Sequence, residues 1–259
     1  MSEDGIERDG LKPGDGVVVT GGGGGFGRAF SKRFGRMGAR VAVWDIDAGR
    51  GGETVAQVKA AGGEARFYKV DLANAADIEA CVAATLADQG APYCLVNNAS
   101  VFPRGEVVEL SLAAWELTLK VNITAPFLLC KLFGPRMIAE KRGVVINLAS
   151  GRAVEGAAKG ANYAATKAAV LSLTKSLALE WAKHGVRVNA IIPGQSLTAM
   201  PLENSTAEEM HAHAKVRNPM GRVGYPDDVA GLAAYLVSAD AAYMTGQGVA
   251  INGGAVMIP

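Results

Sequence analysis

The chain has 259 residues, 49% of them hydrophobic and 20% charged, which allows a sizeable core and excludes a disordered chain. Lys and Arg number 26 against 25 Asp and Glu, a net charge of +1, so no broad positive field exists and nucleic acid is not expected as a partner. The sequence lacks both the roughly 18 consecutive apolar residues of a membrane span and the basic-then-apolar opening of a signal peptide, so a soluble, cytoplasmic protein with no membrane partner is expected.

Taken in chain order, residues 1–15 are polar and close on the turn Pro13-Gly14-Asp15, which predicts a flexible tail. Strands are predicted over 16–20, 40–45, 65–70, 93–97, 143–149, 186–192 and 248–252. Helices fall between them over 26–38, 48–61, 74–89, 111–137, 161–184 and 226–238. This alternation implies right-handed crossovers and a parallel sheet. Several strands read as unbroken Val and Ile runs, as expected where both faces are covered. The predicted fold is therefore α/β, a doubly wound seven-stranded parallel sheet with helices on both faces, in one domain over 16–259. Residues 195–222 carry no strand signal, contain Met200, Met210 and Met220, and are read as a lid. Cys81, Cys94 and Cys130 are odd in number and have no CxxC spacing. They predict reduced, buried thiols and neither a disulfide framework nor a zinc site.

The first strand runs into Gly21-Gly22-Gly23-Gly24-Gly25-Phe26-Gly27-Arg28 and then a helix. Glycines let the backbone turn tightly and approach a pyrophosphate, to which the helix N-terminus offers free N–H groups. The motif is weak alone and strengthened by its strand–loop–helix setting. Asp45 ends the second strand about twenty residues on, where a carboxylate can accept bonds from ribose hydroxyls, which favours NAD over NADP. A strand-end Asp capping the next helix is the plainer alternative. Arg28 and Arg40 keep NADP open.

Tyr163 and Lys167 stand four residues apart on a predicted helix and share a face. A nearby ammonium favours the tyrosinate, which would give a general acid/base suited to alcohol oxidation. Such pairs are commonly mere packing contacts, but Ser150, at the end of the fifth strand, adds a hydroxyl where open α/β sheets bind ligands. Ser150 is not a convincing nucleophile: its segment is not GxSxG.

These pieces, in this order, resemble the short-chain dehydrogenase/reductase family in its compact Rossmann-type form. The matching residues are Thr20-Gly21-x-x-x-Gly25-x-Gly27, Asp71-Leu72, Asn97-Asn98-Ala99, Asn122, Ser150, Tyr163-x-x-x-Lys167, Pro193-Gly194 with Thr198, and Asn252-Gly253-Gly254. The resemblance covers residues from Val17 to about Met257. It implies that Tyr163 exchanges the substrate hydroxyl proton and that Lys167 lowers its pKa and holds the nicotinamide ribose. It also implies that Ser150 bonds the substrate oxygen and that Asn122 holds a relay water, a helix-interior Asn bonded to backbone being the lesser alternative. Asp71, Leu72, Asn98 and Ala99 would lie on the adenosine side, Pro193, Gly194 and Thr198 beside the carboxamide, with Gly21, Gly25, Phe26 and Gly27 at the phosphates. Ser100 and Ser196 depart from the family's usual residues.

The expected function is reversible hydride transfer between NAD(H) and a secondary alcohol or ketone, without a metal. Pocket candidates are Val101, Phe102, Ala153, Val154, Gln195, Met200 and Leu202, mostly apolar, which suggests a hydrophobic or alicyclic substrate, with Glu155 able to read a polar substituent. The pair His211-x-His213 is read as solvated. The rival readings are an NADPH-dependent reductase of 3-oxoacyl thioesters and a non-catalytic dinucleotide sensor. Family members are commonly homotetramers, and the small residues Ala164, Ala165, Ala168 and Ala169 permit the close helix approach that a tetramer or dimer requires.

Overall fold

The computed structural model describes residues 9–202 and 205–257, apart from the side chain of Pro201. Its seven strands are β1 (Gly16–Thr20), β2 (Arg40–Asp45), β3 (Glu64–Lys69), β4 (Pro92–Asn97), β5 (Gly143–Leu148), β6 (Val186–Pro193) and β7 (Gly248–Ile251). They form one parallel sheet in the order β3-β2-β1-β4-β5-β6-β7. The chain begins at β1, builds outward to β3, then crosses back to β4. The reversal leaves a crevice beyond the C-terminal ends of β1 and β4, where open α/β sheets bind ligands.

The helices are α1 (Gly25–Arg36), α2 (Ala48–Ala60), α3 (Ala75–Gln89), α4 (Leu112–Leu119), α5 (Ala125–Glu140), α6 (Arg152–Glu155), α7 (Ala161–Trp181), α8 (Ala199–Leu202), α9 (Ala207–Arg217) and α10 (Pro226–Leu236). The two-residue period of a strand sorts β1 between them. Val17 and Val19 pack with Phe30 and Phe34 of α1 and Leu236 of α10, whereas Val18 packs with Phe133 and Met137 of α5 and Leu177 of α7. Both faces are thus covered, which is why the strand reads as unbroken valine. Cys81, Cys94 and Cys130 are buried as thiols.

Three expectations are revised. The helix predicted over 111–137 is α4 and α5 joined by a π-turn at Lys120–Thr124 and extends to Glu140. An 18-residue window within this 29-residue run reaches a mean hydropathy of 1.3 and is long enough for a membrane, yet half of that window is buried, with Leu129, Phe133 and Met137 in the core. Residues 9–15 are not loose. Leu11 donates to the Val237 carbonyl at 2.9 Å, Gly14 to the Gly38 carbonyl at 2.8 Å, and Asp9 and Asp15 both pair with Arg142. Residues 1–8 of the expected tail lie outside the described residues. The segment 195–222 carries α8 and α9. The sequence Thr206-x-x-Glu209 starts α9 with a reciprocal cap, Glu209 N–H to Thr206 Oγ1 at 3.2 Å and Thr206 N–H to Glu209 Oε2 at 2.8 Å. Met210 and Ala214 then pack on Leu197 and Val223 in a small core of their own.

Candidate active site

The glycine run turns at Gly21 (φ +62°) and Gly25 (φ +49°), conformations that an L side chain resists. Between them the loop lies close to β2: a Cβ on Gly22 would stand 2.8 Å from Val43 Cγ1, and the Gly23 N–H donates to Asp45 Oδ2 at 2.8 Å. The loop ends at the N-terminus of α1, whose first N–H groups have no partner inside the helix. Gly27 plays a different part from the one expected. It does not line the cavity, and a Cβ there would overlap the Gly21 carbonyl, so it lets α1 seat against its own loop. Asn98 knits the ends of β1 and β4 together: its Nδ2 donates to the Thr20 carbonyl at 2.8 Å, and the Asn98 and Ala99 N–H groups donate to Thr20 Oγ1 at 3.0 and 3.1 Å.

One cavity of about 740 Å³ opens along these strand ends. Gly21, Gly25, Phe26, Asp45, Asp71, Leu72, Asn98, Ala99, Pro193, Gly194 and Thr198 line it, together with Ser150, Tyr163 and Lys167. The buried Lys167 donates from Nζ to the Leu148 carbonyl at 2.7 Å, and Nζ stands 5.5 Å from the centre of the Tyr163 ring. Burial pulls the Lys167 ammonium down to about 7. The same burial pushes the Tyr163 phenol up, outweighing the Ser150 hydroxyl and the Arg152 charge, which pull the other way. The protein's own groups therefore hold Tyr163 as the protonated acid, because desolvation exceeds the combined effect of Ser150 and Arg152.

Asn122 sits in the π-turn, buried, away from the cavity lining. Its Oδ1 accepts from the Val101 N–H at 2.9 Å and its Nδ2 donates to the Val101 carbonyl at 3.0 Å and to Thr166 Oγ1 at 3.2 Å. The side chain is committed to protein, which fixes the loop after β4 and leaves no side-chain donor for a relay water. Ser100 lines the cavity with its Oγ buried and unpartnered among the described residues. Ser196 is buried against Gly224 and donates to the Gly194 carbonyl at 3.2 Å.

Of the pocket candidates, Val101, Phe102, Gln195, Met200 and Glu155 line the cavity; Ala153, Val154 and Leu202 do not. The sequence reading passed over four arginines that do: Arg50, Arg104, Arg152 and Arg217. Arg28 is occupied by Glu53 and the Gly23 carbonyl, and Arg40 by the carbonyls of Gly14 and Gln89. Arg50 stands where they were expected to matter, its Nη2 3.1 Å from where a Gly24 Cβ would be. Its position in the first turn of the helix after Asp45 was the available signal. His211 and His213 lie on helix α9, not on a solvated loop, and His213 Nδ1 meets Gln195 Oε1 at 3.1 Å in the cavity wall.

A family model described as enoyl-(acyl carrier protein) reductase matches residues 22–256. The chain belongs to the short-chain dehydrogenase/reductase family. It is 35% identical over 246 residues to 2-(S)-hydroxypropyl-CoM dehydrogenase 3 of Xanthobacter autotrophicus, covering 93% of this chain and 96% of that protein. Against 3beta-hydroxysteroid dehydrogenase 1 of Eggerthella lenta it is 38% identical over 245 residues, covering 94% of each. A crystal structure of an NAD(P) dependent gluconate 5-dehydrogenase from Beutenbergia cavernae, with NADP bound at low occupancy, superposes with a TM-score of 0.89 at 37% identity, covering 94% of this chain and 97% of that one. As a short-chain dehydrogenase/reductase, the protein is an oxidoreductase acting on secondary alcohols and ketones with a nicotinamide coenzyme.

Proposed function

We propose that the protein interconverts a secondary alcohol and its ketone with NAD(H) in preference to NADP(H), using Tyr163 as the acid/base. The observation that carries this reading is the convergence of Ser150, Tyr163 and Lys167 on the same cavity as the glycine loop and Asp45. The residues suit a dinucleotide: the loop approaches so closely that a Cβ on Gly22 would crowd Val43, and each Asp45 oxygen accepts one backbone N–H, from Gly23 and Asp47, keeping a lone pair for a ribose hydroxyl. A bound nicotinamide supplies a hydride acceptor or donor. In reduction, Tyr163, held protonated by burial, delivers its proton to the ketone oxygen while Ser150 donates a hydrogen bond to it. In oxidation it takes that proton back, favoured by a positive charge brought by the oxidised ring and, below about pH 7, by the Lys167 ammonium. Asn122 positions Val101 in the wall.

NADP(H) use is the second reading, favoured by Arg50, a cation beside Asp45 able to meet a 2′-phosphate. The segment 195–222 is assigned as a lid and the chain as a cytoplasmic homotetramer; Ala165 and Ala168, exposed on α7, leave a face open to close helix approach.

Initial rates of coenzyme absorbance change, measured with both coenzymes over a panel of secondary alcohols and ketones, test the reading. NAD(H) is expected to give the higher kcat/KM, Arg50→Ser to weaken NADP(H) further, and Tyr163→Phe to lower kcat by about 10²-fold or more while coenzyme binding persists. Unchanged turnover in Tyr163→Phe would overturn the assignment of the proton carrier.

A further inference from the structure

We infer that the substrate of this site carries an oxyanionic group, such as a carboxylate, held by Arg152 and Arg217 with Arg104 beside them. This rests on the hydride-transfer reading and narrows its substrate class away from the purely hydrophobic alcohols that the apolar candidates suggested. All three arginines line the cavity that contains Tyr163. Arg104 is linked to that tyrosine by contacts, and Arg152, whose charge acts on Tyr163, is linked to Arg217 through Glu155. The Tyr163 ring stacks on Phe102 at 4.3 Å, and the Arg104 guanidinium lies 4.5 Å over the other partner of that stack. Arg152 follows Ser150 by two residues and reaches Glu155 at 3.6 Å, and Glu155 in turn meets Arg217 of α9 at 3.3 Å.

The charge at this end is unbalanced. Three guanidinium groups face one carboxylate, Glu155, a surplus of two positive charges on a chain whose whole net charge is +1. Arg104 has no ion-pair partner among the described residues. One carboxylate cannot satisfy the ten N–H donors of Arg152 and Arg217. Both side chains are about half exposed, at 51% and 50%, so their pairing with Glu155 is weakened by water and they retain donors for a second oxyanion. Elsewhere in the lining, Asp45 and Asp71 outnumber Arg50. A planar guanidinium fork suits a carboxylate bidentately, and burial in the closed complex would strengthen the pair. The apolar lining, Val101, Phe102, Leu117 and Met200 among it, then surrounds the carbon chain between the anion and the carbinol.

The test compares acid and amide partners of equal shape: 3-hydroxybutyrate, 4-hydroxypentanoate and 5-hydroxyhexanoate, each against its amide, at saturating coenzyme. An acid-to-amide ratio in kcat/KM of about tenfold or more is expected at one chain length. Arg217→Gln should bring that ratio toward one, and Glu155→Gln, which removes the competing carboxylate, should raise it. A ratio near one at every length, or a ratio that Arg217→Gln leaves unmoved, would overturn the oxyanion site while leaving hydride transfer standing. Thermal shift with the same six compounds decides the site even if none is turned over. Stabilisation by an acid but not its amide, lost in Arg217→Gln, supports it, and equal or absent shifts overturn it. The hydride reading itself falls or stands by the alcohol panel and Tyr163→Phe.

Discussion

Lys167 shows how one position can combine a structural penalty with a chemical use. Among the described residues its Nζ has a single acceptor in hydrogen-bond range, the Leu148 carbonyl at 2.7 Å, and the residue is 3% exposed. A carbonyl favours the ammonium, but lost hydration disfavours it more, and the group falls to about 7. In an unfolded chain the same amine titrates near its model value of 10.5. Between pH 7 and 10 the unfolded state therefore binds the extra proton, and this group makes stability rise with pH; below 7 its penalty is complete. The expected slope from Lys167 is up to about 1.4 kcal/mol per pH unit in that window. The buried thiols of Cys81, Cys94 and Cys130, pushed up by burial, contribute the opposite slope in any variant, so the difference between wild type and Lys167→Met isolates the lysine. Urea unfolding at pH 7, 8 and 9 should show the wild type gaining stability relative to Lys167→Met at each step. Parallel curves would mean that Lys167 is charged in the folded protein.

At the scale of elements, the two glycines Gly27 and Gly52 lie in neighbouring helices and behave oppositely. Gly27, in the first turn of α1, lies so close to Gly21 that a Cβ would overlap the carbonyl oxygen, and Asn98 Nδ2 would be 2.8 Å away. Gly52, inside α2, faces open space. Gly27→Ala should push α1 off its loop, costing about 1–3 kcal/mol and weakening dinucleotide binding together. Gly52→Ala should add about 0.5–1 kcal/mol through helix propensity alone. Thermal melting of the two variants, with coenzyme titration, checks both signs. Elements of this kind were readable in advance because each had a local cause. Apolar strands bounded by turns gave all seven positions to within a residue or two, and the Tyr163–Lys167 spacing gave a shared helix face. What escaped had no local cause. Arg217 joins the cavity only because α9 folds back over the strand ends to reach Glu155 from 62 residues away. The side chain of Asn122 is taken by Val101 because the π-turn aims it there. The clash that makes Gly27 a packing residue exists only once helix and loop have met.

For the molecule as a whole, Arg142 ties the chain's beginning to its middle. It precedes β5, donates to both Asp9 and Asp15, and lies with its guanidinium 4.3 Å over the Tyr93 ring of β4. Three separate stretches of sequence thus meet on one side chain at the end of the sheet remote from the cavity. Burial alone would raise the Asp9 carboxyl, but hydrogen bonds from Arg142 and Lys12 outweigh it and hold it below its ordinary 3.8. A carboxyl lowered in the folded state stabilises fully above its unfolded value and loses that contribution as pH falls through the folded one. Arg142→Gln leaves the two carboxylates facing each other without their cation and uncovers Tyr93, at a cost of about 2 kcal/mol near neutral pH. For a chain of this length that is roughly 4–8 °C in Tm. Melting curves of wild type and Arg142→Gln should stay separated by this gap from pH 8 to 5 and converge below about pH 4, as Asp9 takes up its proton in the wild type. A gap that persists undiminished to pH 3 would assign the stabilisation to the stacking of Arg142 on Tyr93 and not to its ion pairs.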